Sequence, residues 1–146
     1  AIADEYFKSL AEYGILFPDT VALLEELRQK GYLLAAITNG SLLPQTGRII
    51  ASGIGCYFTQ GIYISEVIGY QKPRKEYFTY VLNKLGNPPE KEVLVIGDSL
   101  SSDITGAISM GLDCCFVNMR DIPLPTDIHP TYTVTKLLDI PTICRL

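Results

Sequence analysis

A chain of 146 residues, 47% apolar and 19% charged, is long enough to bury a core in one compact domain. Its net charge of −4 and pI near 4.9 lack the basic footprint that nucleic-acid binding requires, which excludes that class of partner. No segment is long and apolar enough to span a bilayer, so a soluble, cytoplasmic protein is expected.

The elements alternate along the chain. Ile2 to about Tyr13 reads as a helix, and "FPDTVALLEELRQKG" as a turn followed by a helix with Val21, Leu23, Leu24 and Leu27 at helical spacing, closed by Gly31. "YLLAAIT" is a continuous apolar run, the mark of a strand buried on both faces. "NGSLLPQTGRIIASG" predicts a loop and a helix ending at Gly53; "GIYIS" predicts a short strand, "PRKEYFTYVLNKLG" a helix from Pro73 to Gly86, and "EVLVIG" a second buried strand. "SDITGAISMG" predicts a helix to Gly111, "DCCFVN" a third strand, Asp121 to Pro130 a loop, and "TVTKLLDI" a last short helix. Strands separated by helices of this length imply right-handed βαβ units and a mostly parallel sheet. The four cysteines, Cys56, Cys114, Cys115 and Cys144, form no C-x-x-C pair and read as buried free thiols of a reducing compartment. The first ten residues carry no secretory pattern, and the absent initiator methionine suggests processing or truncation.

Ligands of such a sheet collect beyond the carboxyl ends of its strands, where this chain places Thr38, Asn39 and Gly40 after one buried strand and Gly97, Asp98 and Ser99 after another. "VLVIGDSLSSDITGAISMGL" releases two aspartates, Asp98 and Asp103, from the mouth of a buried strand; like charges losing hydration there call for a cationic partner or a substrate. Magnesium selects hard oxygen ligands and often takes only one or two protein carboxylates plus a substrate phosphate. Each piece also has a plainer meaning: "TNG" as a strand-ending turn, Lys72 as a surface charge, Asp103 as a helix cap. In the functional alternative the Thr38 hydroxyl and nearby N–H groups cradle a phosphoryl oxygen, Gly40 permits close approach, and Lys72 neutralises a phosphate or a carboxylate. Pro73 would place Lys72 at the entrance of a helix.

"AAITNG", "QKPRKEYF" and "VLVIGDSLSSDITGA" stand in the order and spacing of the second, third and fourth motifs of the haloacid dehalogenase-like (HAD) phosphohydrolases, and the chain resembles that family over essentially its whole length. The likeness is to the helical-cap branch of nucleotidases and phosphoglycolate phosphatases. It implies a Rossmann-like, HAD-like three-layer α/β sandwich, with residues 1–14 a remnant helix closing the cap and 15–146 the core domain. It further implies a Mg²⁺ ion, a small phosphorylated metabolite as substrate, and phosphoryl transfer to an aspartate. Carried over by position, Thr38 with Asn39 and Gly40 binds the phosphoryl group, Lys72 steadies nucleophile and phosphate, and Asp98 and Asp103 hold Mg²⁺.

The family's first motif, D-x-D, is missing: among Asp4, Asp19, Asp98, Asp103, Asp113, Asp121, Asp127 and Asp139 no two are separated by one residue. The nucleophile is therefore expected outside this chain, which reads as the carboxyl-terminal part of a phosphatase, inactive by itself. In the family the first strand lies between the strand ending at Thr38 and that ending at Gly97. Its loss predicts a vacancy, a swapped strand or a partner strand there, and association through the open edges. Three other functions compete. "GDSL" matches a serine esterase tetrapeptide with Ser99 as nucleophile, but the sole histidine, His129, follows in the wrong spacing. A dehalogenase needs no metal and leaves the Asp98 and Asp103 pair unexplained. A non-catalytic pseudoenzyme would keep the cradle to bind a phosphorylated ligand.

Overall fold

The computed structural model describes residues 2–4, 19–42 and 53–146. Six strands form one sheet in the order β3-β2-β1-β4-β5-β6, and every neighbouring pair is parallel. They are β1 (Ile2–Asp4), β2 (Ala35–Thr38), β3 (Ile62–Ile64), β4 (Leu94–Gly97), β5 (Asp113–Val117) and β6 (Tyr132–Val134). The helices are α1 (Thr20–Gln29), α2 (Ser65–Ile68), α3 (Lys75–Lys84), α4 (Thr105–Ser109) and α5 (Ile140–Ile143).

The apolar runs that defined β2, β4 and β5 are apolar because the sheet is covered on both sides. Alternate residues Ala36, Leu94, Ile96, Cys115 and Val117 pack with Leu23, Leu24 and Leu27 of α1 and Leu137, Ile140 and Cys144 of the carboxyl-terminal segment. Their neighbours Ile37, Val95, Cys114 and Phe116 pack with Tyr77, Phe78 and Val81 of α3 and with Ile104 and Ala107 at α4. This is the expected three-layer α/β sandwich, its layers assigned by the period-two alternation of strand side chains. Val21, expected on the apolar face of α1, is instead exposed. Gly31 closes α1 in the left-handed region (φ +85°), where Gly31 N–H donates to the Arg28 carbonyl and Tyr32 N–H to the Leu27 carbonyl. Gly111 (φ +72°) ends α4 the same way.

Four expectations need correction. The central strand position is not vacant: Ile2–Asp4 lie there, Ile2 in register with both Ala35 and Val95, so these residues are strand and not the start of a helix. The inner edges of β2 and β4 present unpaired N–H and C=O groups, and pairing them outweighs the local helical spacing of this short segment. The reason given for association through those edges falls with the vacancy. Residues 5–14 of the expected remnant helix, and 43–52 of the helix ending at Gly53, lie outside the described residues. Tyr132–Val134 are strand, pairing with Cys115 to Val117, so the last helical segment begins only at Leu137. Pro73 lies ahead of α3 rather than in its first turn: Arg74 is the N-cap, and Arg74 N–H donates to the Gln71 carbonyl across a cis Lys72–Pro73 bond. Finally, Cys56 is exposed, whereas the other three thiols are buried as expected.

Candidate active site

Three loops converge at the carboxyl ends of β2, β3 and β4. Lys72 and Asp103 meet there, Nζ to Oδ1 at 2.6 Å, with side-chain exposures of 0% and 1%. Lys72 is therefore not a solvated surface charge. Removing both ions from water is costly, and the contact persists because the remaining polar atoms are also used. The Asp103 Oδ2 accepts the Ser99 N–H at 3.2 Å, its Oδ1 accepts the Ser102 hydroxyl at 3.4 Å, and the Lys72 ammonium also donates to the Ile37 carbonyl at 3.4 Å.

Asp103 reaches this position through a π-helical turn over Leu100–Ile104 that runs into α4. Ser99 is its N-cap, the hydroxyl accepting Ser102 N–H at 3.3 Å, so the cap role considered for Asp103 belongs to Ser99. The partners of the Ser99 hydroxyl are thus Ser102 N–H and the Ser101 hydroxyl, and His129 sits exposed in the loop before β6. Among the described residues that arrangement gives an esterase nucleophile no base. The turn is anchored from α3: a Cβ on Gly106 would lie 2.3 Å from Phe78 Cε2, so only glycine lets α4 approach this closely.

Thr38 is 2% exposed, and its N–H donates at 2.9 Å to the Tyr77 hydroxyl, which in turn donates at 2.6 Å to the Tyr63 carbonyl. Tyr77 of α3 thereby ties the end of β2 to the end of β3. Asn39 makes a reciprocal pair with the Lys72 main chain: Lys72 N–H donates to Oδ1 at 2.9 Å, and Nδ2 donates to the Lys72 carbonyl at 3.1 Å. Gly40 N–H donates to the Ser65 hydroxyl at 2.8 Å. The backbone amides of Thr38 and Gly40, expected in a phosphate cradle, thus also hold the protein together. Asp98 follows β4 directly, exposed, one residue before Ser99.

Of the expected site, Lys72 is joined by named contacts to Asn39 and Asp103, Thr38 and Gly40 flank Asn39 in the chain, and Asp98 stands at the adjoining strand end. The sequence analysis missed Tyr77, Ser65 and the π turn. Only a tyrosine inside an otherwise apolar helix face signalled the first of these.

The sequence matches the haloacid dehalogenase-like hydrolases over residues 2–111. The chain belongs to that family. It is 36% identical over 137 residues to pyrimidine 5'-nucleotidase YjjG of Escherichia coli K12, an alignment covering 94% of this chain and 60% of that protein. It is likewise 36% identical over 139 residues to the HAD-hydrolase YfnB of Bacillus subtilis, covering 95% of this chain and 58% of that one. The crystal structure of YfnB bound to magnesium superposes with a TM-score of 0.87, covering 97% of this chain and 61% of that chain. The chain thus spans about 60% of the length of these two relatives. The HAD-like Rossmann-type fold expected from the motifs is the fold observed.

Magnesium can be tested against the donors present. Asp98 offers an exposed carboxylate and Asp103 a buried one already held by Lys72, both hard oxygen donors of the kind Mg²⁺ selects. Among the described residues no three His, Cys, Asp or Glu side chains cluster closely enough to cage a metal. The pair suits an ion that keeps several waters and takes the rest of its ligands from a phosphate.

Proposed function

We propose that this chain carries the phosphoryl-binding part of a Mg²⁺-dependent phosphomonoesterase acting on a small phosphorylated metabolite. The observation that carries the reading is the buried contact between Lys72 and Asp103 at the carboxyl ends of β2 and β4, beside Thr38. Lys72 stands where a cation offsets the charge of a phosphoryl group, and Thr38 where a hydroxyl meets one of its oxygens. Asp103 fixes the ammonium, and the Asn39 amide fixes the main chain from which it projects. Asp98, with Asp103 through water, would hold Mg²⁺; bound there, the ion supplies charge neutralisation of the phosphate.

Relatives named as pyrimidine 5'-nucleotidase and as glyceraldehyde 3-phosphate phosphatase support phosphate-ester chemistry and favour it over halide release. The D-x-D pair that attacks phosphorus and shuttles the proton in the family is absent from this sequence, so the nucleophile is placed outside these 146 residues. The pseudoenzyme alternative shares the cradle and differs only in turnover.

The test is hydrolysis of p-nitrophenyl phosphate. The expected result is no turnover by the 146-residue chain, and Mg²⁺-dependent, EDTA-sensitive turnover by a polypeptide in which a D-x-D strand takes the place of Ile2–Asp4 between β2 and β4. Inactivity of that polypeptide would support the pseudoenzyme. Hydrolysis by the chain itself, abolished by Asp4→Asn, would contradict the placement of the nucleophile elsewhere.

A further inference from the structure

The loop that leaves β2 is held from its far side by the short helix α2. Because β2 and β3 run parallel, with Thr38 in register with Ile64, the chain leaves both strands at the same level, and Ser65 and Glu66 come to lie against residues 40–42. Four hydrogen bonds join the two segments. Gly40 N–H donates to the Ser65 hydroxyl at 2.8 Å, that hydroxyl donates to the Gly40 carbonyl at 3.2 Å, and Glu66 N–H donates to the same carbonyl at 3.2 Å. Leu42 N–H donates to Glu66 Oε2 at 2.7 Å. Thr38 N–H and the Asn39 side chain are already held by the Tyr77 hydroxyl and the Lys72 main chain, so these bonds fix the next stretch of the same loop.

We propose that Ser65 and Glu66 are positioning residues of the phosphate-binding loop, setting how well residues 38–40 fit a phosphoryl group without touching it; the inference rests on the proposed function. Gly40, Leu42 and Glu66 are exposed, and an exposed amide exchanges a protein acceptor for water at little net cost. Satisfying the two amides therefore does not require Ser65 or Glu66. What these side chains add over water is a fixed direction, because both project from α2, which continues straight out of β3. Charge leads to the same conclusion for Glu66. A loop that binds an anion gains nothing from a neighbouring carboxylate, so the useful property of Glu66 is the oxygen that holds Leu42, and a neutral acceptor of the same length should serve as well. The same loop carries the Thr38 hydroxyl and, through Asn39, places the main chain of Lys72, so freedom released at residues 40–42 passes to both.

The experiment uses the ¹⁵N-labelled 146-residue chain as native protein, Ser65→Ala, Glu66→Ala and Glu66→Gln. NMR gives the amide–water exchange rates of Gly40 and Leu42, a titration with inorganic phosphate in the presence of Mg²⁺ gives the affinity, and urea midpoints report global stability. The expected result is faster exchange at Gly40 in Ser65→Ala and at Leu42 in Glu66→Ala, with phosphate bound about three- to tenfold more weakly by both. Glu66 is exposed, so its two variants should keep the native urea midpoint and decide the matter even if Ser65→Ala fails to fold. Glu66→Gln should restore both the exchange rate and the affinity, a rescue that a general loss of stability would not show. Native affinity in the alanine variants, or Glu66→Gln as weak as Glu66→Ala, would overturn the inference and leave the proposed function standing. Phosphate that shifts none of residues 38–40 and 72 in the native chain would overturn the proposed function and this inference with it.

Discussion

Replacing Lys72 by methionine keeps most of the apolar stem and removes the charge. Asp103 then remains almost fully buried without the ammonium opposite it, while still accepting Ser99 N–H at 3.2 Å and the Ser102 hydroxyl at 3.4 Å. Breaking a buried ion pair from one side costs about 3–5 kcal/mol, because it strands the other charge, against about 0–1 kcal/mol for an exposed pair. At 0% and 1% exposure the larger range applies. For a chain of 146 residues this corresponds to a fall in Tm of about 10 °C. Urea unfolding of Lys72→Met, Asp103→Leu and the double variant measures the coupling. The double variant, with no stranded charge, should recover most of the loss. A cost for Lys72→Met below about 1 kcal/mol, or a double variant no better than the single, would refute the claim that the two charges are locked together out of water.

Tyr77→Phe removes the hydroxyl shared by Thr38 N–H and the Tyr63 carbonyl and should cost about 1–3 kcal/mol in urea unfolding, with amide shifts centred on Thr38 and Tyr63. Gly106→Ala drives a methyl to 2.3 Å from Phe78 Cε2 and should destabilise by about 1–3 kcal/mol, with part of the loss recovered by Phe78→Leu. Hydrogen bonds from Arg28 and then from Tyr57 hold the Glu25 carboxyl below the usual glutamate value. Its contribution is therefore present above the unfolded-chain value and lost as pH falls through the lower folded one. Carboxyl ¹³C titration should show that lowered midpoint, and Arg28→Ala should raise it.

The layers of the fold were legible because burial on both sides leaves a local trace: "AAIT", "LVIG" and "CCFV" are apolar throughout. Residues 2–4 and 132–134 left no such trace. Three residues are too few to establish a period, and what makes them strands is the open ladder of β2, β4 or β5 beside them, a tertiary demand. The site divides in the same way. Thr38, Lys72, Asp98 and Asp103 could be named because charges and hydroxyls at strand ends are conspicuous in sequence. That Lys72 is sealed against Asp103 depends on the π turn, whose i to i−5 bond from Ile104 N–H to the Ser99 carbonyl has no sequence signature distinct from an α-helix. Tyr77 was hidden because its ring carbons belong to the core as naturally as a phenylalanine's would, and only its hydroxyl serves the site.

The central claim is that the corner formed by Thr38, Lys72, Asp98 and Asp103 receives a phosphoryl group together with Mg²⁺. Its most direct test is an NMR titration of the ¹⁵N-labelled chain with inorganic phosphate, with and without Mg²⁺, in the native protein and in Asp98→Asn. Amide shifts confined to residues 38–40, 72 and 98–103, strengthened by Mg²⁺ and weakened by Asp98→Asn, are the expected result. Shifts centred instead on Lys91 and Arg145, which line a cavity with Ala35, Leu94, Asp113 and Tyr132 at the amino ends of the strands, or binding indifferent to Mg²⁺ and to Asp98, would contradict it.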